Sequence, residues 1–219
     1  MSTASPKQAL FIQFAAVAKA IAHAHRLELL ELLAQGERSV EALADKAGLS
    51  TANTSQHLQQ MRRAGVVSTR REGKFVYYAV SDAAVLHLLA ALRSLAERNS
   101  AEVERVIRSY FHDRDSMEPV SRVELLRQLR AGAVTVLDVR PADEFALGHL
   151  PHAINIPLGE LERRRSDLDP SNEIVAYCRG PYCVLAFEAV ALLRRRGFQA
   201  RRMQDGFPEW RNAGFPLAS

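Results

Sequence analysis

The chain has 219 residues, of which 47% are hydrophobic and 25% are charged, and its formal net charge is +4. This apolar fraction is ample for packed cores and excludes a disordered chain, while the length fits one or two domains. No apolar stretch is long enough to cross a bilayer and no signal sequence precedes the first helix. We therefore expect a soluble, cytoplasmic protein that does not bind membranes. Its two cysteines suit chemistry better than a disulfide scaffold.

The first half of the chain is predicted to be helical apart from one hairpin. Apolar residues recur at helical spacing over residues 11–22, and a second apolar helix over residues 27–35 ends at Gly36. Serines then cap two further helices, over residues 40–47 and 51–64. This order of helix, short turn and helix is the outline of a helix-turn-helix, whose second helix enters the major groove of DNA.

The second helix of this pair carries a polar face that begins at its N-terminal end. The hydroxyl, amide and imidazole groups of this face can meet base edges, and its arginines can meet phosphates. The candidate DNA-contacting residues on the helix are Thr51, Asn53, Thr54, Ser55, Gln56, His57, Gln60, Arg62 and Arg63. Taken alone, a helical hairpin with a polar face is more often only a solvated surface.

A basic hairpin follows the second helix and strengthens the DNA-binding interpretation. Two β-type runs, residues 66–69 and 75–80, are joined by a tip that contains Arg70, Arg71 and Lys74. Residues 62–74 hold five basic residues and one acidic residue. Such a cluster fits beside the phosphates of a duplex, where cations release condensed counterions.

Several short motifs in this half occur together in one known family. They are His25-Arg26-Leu27-Glu28-Leu29-Leu30, Leu49-Ser50, Ser55-Gln56-His57-Leu58 and Glu72-Gly73-Lys74-Phe75-Val76-Tyr77-Tyr78. With these motifs, residues 22–80 resemble the ArsR family of winged helix-turn-helix repressors. The resemblance implies double-stranded operator DNA as a partner. It also implies a homodimer held by the first and last helices of the domain, over about residues 6–18 and 82–112.

Many members of that family sense metals or arsenic. The first 177 residues contain no cysteine, so the thiolate sites of those relatives cannot form in this half. Asp82 and His87 are five positions apart and make a poor half-site for zinc. We expect no metal site and no cofactor.

The chain changes character at the polar residues 112–120, which include a proline. We predict a DNA-binding and dimerisation domain over residues 1–112, a linker over residues 113–120 and a second domain over residues 121–219. In the second domain, a capping box precedes a helix over residues 122–130. A buried strand over residues 133–139 then delivers two charged side chains, Asp138 and Arg140.

Both cysteines lie in one loop between a predicted strand, residues 173–177, and an apolar helix, residues 184–193. Ligands bind at the carboxyl ends of strands in open α/β sheets, where helix N-termini attract anions. Cys178 stands at such a position, which favours a thiolate with a lowered pKa. The alternative, that Cys178 is a small buried hydrophobe, stays open on these grounds.

The order and spacing of further motifs resemble a rhodanese domain over residues 120–219. These motifs are Leu137-Asp138-Val139-Arg140, Glu144-Phe145, Gly148-His149-Leu150-Pro151-His152-Ala153-Ile154-Asn155-Ile156-Pro157, Tyr177-Cys178-Arg179-Gly180, Asp205-Gly206-Phe207, Trp210 and Gly214-Phe215-Pro216-Leu217. The resemblance implies an α/β fold with a mostly parallel central sheet, behind a mainly α winged helix-turn-helix. It also implies that Cys178 accepts a sulfane sulfur as a persulfide.

The same resemblance implies that amides of the loop cradle the transferred sulfur. The loop residues concerned are Arg179, Gly180, Pro181, Tyr182 and Val184. Asp138 is expected either to orient Arg140 near the loop or to form a structural ion pair with it. Many active rhodaneses have glycine and arginine where this chain has Pro181 and Cys183, so tight thiosulfate binding is not expected.

The two halves together suggest a transcriptional regulator, most simply a repressor, whose effector chemistry takes place in its own rhodanese domain. A thiosulfate, polysulfide or low-molecular-weight persulfide would place sulfur on Cys178. Cys183 could then give a disulfide or a sulfur-bridged pair. Two alternatives remain: a sulfurtransferase or arsenate-related enzyme with an accessory DNA-binding domain, and an inactive rhodanese fold that recruits a partner.

Overall fold

The computed structural model describes residues 5–112 and 118–218. The chain divides into two compact units, Met1–Ala91 and Leu92–Ser219, and one helix runs across the division between them. The predicted domain limits at 112 and 121 remain a prediction, and residues 113–117 of the predicted linker lie outside the described residues.

The first unit is mainly helical, as predicted. Its elements are α1 (Pro6–Ile21), α2 (Ala24–Gln35), β1 (Arg38–Ser39), α3 (Val40–Ala47), α4 (Thr51–Arg63), β2 (Val67–Glu72) and β3 (Phe75–Val80). Helix α5 (Ala83–Asn99) starts here and continues into the second unit. The predicted caps form, because the hydroxyls of Ser39 and Ser50 accept bonds from the Ala42 and Asn53 amides at 3.3 and 3.2 Å. Helices α3 and α4 are therefore the two helices of the helix-turn-helix.

A three-stranded antiparallel sheet, in the order β1-β3-β2, forms the wing. Glu72 pairs with Phe75, so the turn consists only of Gly73 and Lys74. Gly73 has a φ of +58°, which glycine adopts without strain. The predicted five-residue tip is therefore wrong in extent. Arg70 and Arg71 belong to β2, because the ladder continues to the end of that strand.

The core of the first unit fixes which face of α4 points inward. Leu58 and Met61 of this helix are fully buried and pack with Leu29, Leu30 and Leu43 from α2 and α3. Burial of each such side chain contributes about 1.5–3 kcal/mol. The opposite face of α4 is left for solvent or a partner.

The second unit begins within α5 and alternates strands with helices. After α5 it contains α6 (Ala101–Val106), a π-helix (Ile107–His112), α7 (Arg122–Arg130), β4 (Val134–Asp138), α8 (Ala142–Phe145), β5 (Ile154–Asn155), α9 (Leu158–Arg164), a 3₁₀ turn (Arg165–Asp167), β6 (Glu173–Tyr177), α10 (Val184–Arg195), β7 (Ala200–Arg202) and α11 (Phe207–Asn212). The single long helix expected over residues 82–112 is broken, because Ser100 starts a new helix by accepting a bond from the Val103 amide.

The four strands of this unit form one sheet in the order β5-β4-β6-β7, and every neighbouring pair is parallel. The prediction of a mostly parallel α/β sheet is confirmed. In a parallel sheet all carboxyl ends share one edge, and connecting loops meet there. The loop that contains both cysteines starts at this edge, directly after β6.

Candidate functional site

The cysteine loop, residues 178–183, joins the carboxyl end of β6 to the first turn of α10. Cys178 follows the last residue of β6, and Cys183 is the residue that caps α10. Both are buried, and their Cα atoms are 6.1 Å apart, within the range that a disulfide requires. In this structure the two cysteines are joined by a disulfide. The sequence left open whether they could meet, and the loop brings them together.

The cysteine loop rests on the start of α11. The amide of Phe207 donates to the carbonyl of Cys178 at 2.9 Å. A Cβ atom built on Gly206 would lie 2.3 Å from the amide nitrogen of Gly180, so only glycine fits at position 206. The Glu209 carboxylate accepts a bond from the Gly206 amide at 3.0 Å. These contacts fix the backbone beneath the loop.

Arg179, the first loop residue after Cys178, is held by an acidic residue from another element. Its guanidinium donates to the carboxylate of Glu144 at 2.8 and 2.9 Å, and Glu144 is fully buried on α8. A paired arginine positions the loop backbone more than it attracts an anionic donor. The rhodanese resemblance places Arg179 in the binding loop but does not identify Glu144 as its partner, although Glu144 belongs to the motif Glu144-Phe145.

The predicted pair Asp138 and Arg140 forms a fully buried ion pair at the end of β4, with 2.6 Å between Oδ2 and Nη2. Arg140 also donates to the Gly148 carbonyl at 2.8 Å, and its guanidinium lies 4.2 Å from the ring centre of Phe207. Burial opposes the charge of Arg140, but its bonds to Asp138 outweigh this and raise its pKa. The pair therefore supports α11, on which the cysteine loop rests.

Tyr182 lies on the outer side of the cysteine loop, immediately before Cys183. Burial raises the pKa of Tyr182 to about 12, and the nearby carboxylate of Glu97 on α5 adds to this effect. The ring centre of Phe111, in the π-helix, is 5.2 Å from that of Tyr182. No sequence signal identified Glu97 or Phe111, because both partners are far from the loop along the chain.

In the first unit, the predicted DNA-contacting residues of α4 lie on two sides of the helix, one buried and one accessible. Thr54 is 0% exposed and His57 is 8% exposed, so these two side chains point into the core. Their role as direct DNA contacts stays a prediction, and both side chains are buried within this unit. The remaining predicted residues of the helix are exposed or half-buried and form one continuous face, namely Thr51, Asn53, Ser55, Gln56, Gln60, Arg62 and Arg63.

The buried His57 is surrounded by other basic groups. Its ring centre lies 4.6 Å from that of His23 and 5.8 Å from that of His25. Burial lowers the pKa of His57, and the nearby charges of His23, Arg26 and His25 lower it further. We therefore expect His57 to be neutral at physiological pH.

The basic residues of the wing differ in their surroundings. Arg70 donates to Glu37 at 2.6 Å and to Glu72 at 2.7 Å. These bonds raise the pKa of Arg70 and offset its charge. Lys74, at the turn, is exposed and forms no ion pair with a carboxylate in residues 5–112 or 118–218.

No three histidine, cysteine, aspartate or glutamate residues are grouped so as to hold a metal ion within the described part of the chain. None of the helices that the structure describes is long and apolar enough to cross a membrane.

Comparison with known proteins agrees with both halves of this architecture. Residues 24–69 match the family described as bacterial regulatory protein, arsR family, and residues 121–213 match the rhodanese-like domain. The HTH-type transcriptional regulator Rv0324 of Mycobacterium tuberculosis is 43% identical over 211 residues, which cover 96% of this chain and 92% of that protein. The chain belongs to the arsR family of transcriptional regulators. Its rhodanese domain is part of the region shared with this relative.

Two solved structures each resemble one half of this arsR-family regulator. The homodimeric winged helix-turn-helix DNA-binding domain of Mb0332 from Mycobacterium bovis is 38% identical and covers 47% of this chain and 94% of its own, with a TM-score of 0.42. A rhodanese-related protein from Thermoplasma volcanium is 25% identical and covers 47% of this chain and 98% of its own, with a TM-score of 0.43.

Proposed function

We propose that this arsR-family regulator is a repressor that senses sulfane sulfur through Cys178 and Cys183. The observation that carries the proposal is the position of the two thiols. Both lie in one short loop at the carboxyl edge of the sheet, and their Cα atoms are close enough for a disulfide. A second thiol at position 183 converts a short-lived persulfide into a lasting product, which suits a switch.

The chemistry proceeds in two balanced steps. The thiolate of Cys178 attacks the outer sulfur of a persulfide donor, RSSH; the thiolate RS⁻ leaves, and the transferred sulfur keeps its proton in the Cys178 persulfide. The thiolate of Cys183 then attacks the Cys178 sulfur, and hydrosulfide leaves as the disulfide forms. The donor's sulfane sulfur is thereby reduced to sulfide while the two cysteines are oxidised. A dithiol reductant reverses the product by thiol–disulfide exchange.

The residues around the loop support the first step. The start of α10 presents helix N-terminal amides to the loop, which favours a thiolate at Cys178. Pro181 has no N–H group and the charge of Arg179 is engaged by Glu144. The loop is therefore better suited to a persulfide or polysulfide than to thiosulfate, which carries two negative charges.

The output of the proposed sensor is operator binding by a homodimer. The exposed face of α4 and the turn of the wing carry groups suited to base edges and phosphates. Helix α1 exposes five large apolar side chains, Leu10, Phe11, Ile12, Phe14 and Val17. A cluster of this kind on a small unit favours burial against a second subunit.

The test uses the full chain and a DNA probe that the reduced wild-type protein selects from a random-sequence library, called the selected duplex below. We expect a persulfide donor to abolish binding to the selected duplex and dithiothreitol to restore it. Cys178→Ser should take up no sulfur. Cys183→Ser should carry a persulfide on Cys178, detected by mass spectrometry, yet remain on the DNA.

Two results would contradict the proposal. If Cys183→Ser leaves the selected duplex at the same donor concentration as the wild type, the second cysteine has no role in the response. If the donor modifies Cys178 but wild-type DNA binding is unchanged, the protein is not a sulfur sensor. Steady thiocyanate production from cyanide by Cys183→Ser would then favour a sulfurtransferase.

A further inference from the structure

The first unit contains a solvent-facing cleft between the end of α1, the start of α2 and the end of α4. Its volume is about 340 Å³, which is within the range of sites that hold small molecules. Three alanines form its apolar walls, and one lysine, two arginines and one glutamine supply its polar groups. The lining residues are Ala16, Lys19, Ala20, Arg26, Gln60, Arg63 and Ala64.

The cationic groups of this cleft come from three different helices. Lys19 is in the last turn of α1, Arg26 is in the first turn of α2, and Arg63 is the last residue of α4. Lys19 and Arg63 are exposed, and neither forms an ion pair with a carboxylate in the parts of the chain that the structure describes. None of the described lining residues is acidic. The cleft therefore presents three positive charges and no negative side chain.

Arg26 is the least exposed of the three cations, at 8%. Its guanidinium donates to the carbonyls of Lys19 and Ala22 at 3.2 and 3.4 Å and to the side-chain oxygen of Gln60. These acceptors are all neutral, and the buried Nε–H of Arg26 has no hydrogen-bond partner among the described residues. A buried charge is costly unless an opposite charge lies near it. Protein groups thus compensate the charge of Arg26 only in part.

A purely structural role for Arg26 accounts for some of this arrangement. The carbonyls of Lys19 and Ala22 lie at the C-terminal end of α1, where the helix dipole is equivalent to about half a negative charge. Capping of α1 therefore explains two of the bonds. It does not explain why Lys19 and Arg63 line the same cleft without an acidic partner, since like charges that are close together repel each other.

We propose that this cleft binds a small anion that carries phosphate groups. Guanidinium and ammonium groups are common partners of phosphate oxygens, and arginine presents its donors in a fixed fork. Because the least exposed cation lies in a recessed site with alanine walls, the geometry favours a small ligand over the backbone of a duplex. The site belongs to the first unit, and its test does not depend on the proposed sulfur response.

Two lining residues, Gln60 and Arg63, also belong to the exposed face of α4 that is predicted to contact DNA. A ligand held by Arg63 would occupy a cation that is suited to a duplex phosphate. We therefore expect the anion to compete with DNA. Lys19 belongs to α1 and is not part of the exposed face of α4, so its replacement separates binding of the anion from binding of DNA.

The probe for this site is pyrophosphate, and isothermal titration calorimetry of the full chain at constant ionic strength measures its binding. Lys19→Ala and Arg63→Ala should each weaken binding by about tenfold, because each change removes a charge-assisted contact. Lys7→Ala and Arg62→Ala are the matched controls, since both residues are exposed and neither lines the cleft. Both controls should bind pyrophosphate within about twofold of the wild type. Unfolding midpoints without the probe show whether each variant is folded.

A second measurement follows release from the selected duplex at constant ionic strength. Pyrophosphate should release the wild type and Lys7→Ala from DNA. Lys19→Ala should bind the selected duplex with wild-type affinity when pyrophosphate is absent. Its release should require about tenfold more pyrophosphate than release of the wild type.

Three results would overturn the inference. Failure of the wild type to bind pyrophosphate would show that the cleft is not an anion site. Equal pyrophosphate binding by Lys19→Ala and Lys7→Ala would place the bound anion outside the cleft. Weaker duplex binding by Lys19→Ala, together with no pyrophosphate binding by the wild type, would instead identify the cleft as a contact of the DNA backbone.

Discussion

At the scale of single residues, the cysteine loop depends on one position that tolerates no side chain. Gly206 lies against Gly180, and a Cβ atom there would approach the Gly180 nitrogen to 2.3 Å. Because both partners are backbone, neither can move aside cheaply. The geometry of the cysteine loop is thus set from α11, outside the loop itself.

We predict that Gly206→Ala destabilises the rhodanese domain by about 1–3 kcal/mol, the usual cost of forcing extra volume into a packed site. It should also slow sulfur uptake at Cys178. Gly159→Ala is the matched control, because Gly159 lies in α9 with open space around its Cα and alanine favours helix by up to about 1 kcal/mol. Unfolding in urea and donor labelling measure the two effects. Equal stability of the two variants would show that the close contact is absent.

A second prediction at this scale concerns pH. Burial lowers the pKa of His57 from 6.5, and His23, Arg26 and His25 add to the effect. Above pH 6.5 the histidine is neutral in both the folded and unfolded states. As the pH falls below 6.5, the unfolded state binds the proton first, so stability decreases until the lower folded pKa is passed.

Native-state hydrogen exchange of α4, expressed as protection factors, measures this effect between about pH 8 and pH 5. The opening free energy of α4 should fall with acidification in the wild type and less so in His57→Gln. His152→Gln, at an exposed histidine, should behave as the wild type does. A wild-type helix with constant opening free energy across this range would contradict the lowered pKa.

At the scale of elements, the sequence predicted most helix starts correctly because the signals are local. Ser39, Ser50 and Ser121 each cap a helix as expected. The inward side of α4 was also readable, since Thr54, His57, Leu58 and Met61 follow the spacing of a buried helical face. Treating the N-terminal residues of α4 as one polar run missed this periodicity.

Other features of the elements depend on distant contacts and could not be predicted. The effect of Glu97 on the pKa of Tyr182 involves residues that only tertiary packing brings together. The pairing of Arg70 with Glu37 is of the same kind, since nothing near Arg70 in the sequence indicates it. The reach of β2 to Glu72 was missed because a run of charged residues is atypical of a strand.

The wing gives a prediction at the scale of elements, namely that Lys74 and Arg70 differ in their contribution to the salt dependence of DNA binding. Lys74→Ala should weaken binding to all duplexes alike and reduce the slope of log affinity against log salt by about 1. Arg70→Ala should change the slope less, because Glu37 and Glu72 already offset this charge. Gln56→Ala, on the exposed face of α4, should instead alter sequence preference. Fluorescence anisotropy at several salt concentrations measures all three. An identical slope in the wild type and Lys74→Ala would argue against docking through the wing.

At the scale of the whole molecule, one chain holds a DNA-binding unit and a thiol site, and α5 is continuous from the first unit into the second. In the proposed sensor, Cys183 supplies the second thiol. Arg93 of α5 donates to the Glu209 carboxylate at 3.2 Å, and Glu209 accepts a bond from the Gly206 amide beneath the cysteine loop.

The proposed homodimer gives the last prediction. Phe14 on α1 is 60% exposed and adjoins other exposed apolar side chains of that helix. Removal of such a surface from water on association contributes about 25 cal/mol per Å², and a charge in its centre opposes that gain. Phe14→Glu should therefore lower self-association and, because two half-sites must be held together, DNA affinity as well.

Val123→Glu provides the control for this change. Val123 is 71% exposed on α7, so its replacement alters charge and exposed apolar area in the second unit without touching α1. Sedimentation velocity should report dimers for the wild type and Val123→Glu but monomers for Phe14→Glu at the same concentration. The apparent affinity of Phe14→Glu for the selected duplex should rise with protein concentration, because its monomers must form a dimer before they bind DNA. A Phe14→Glu protein that remains dimeric would show that the exposed face of α1 is not the subunit interface.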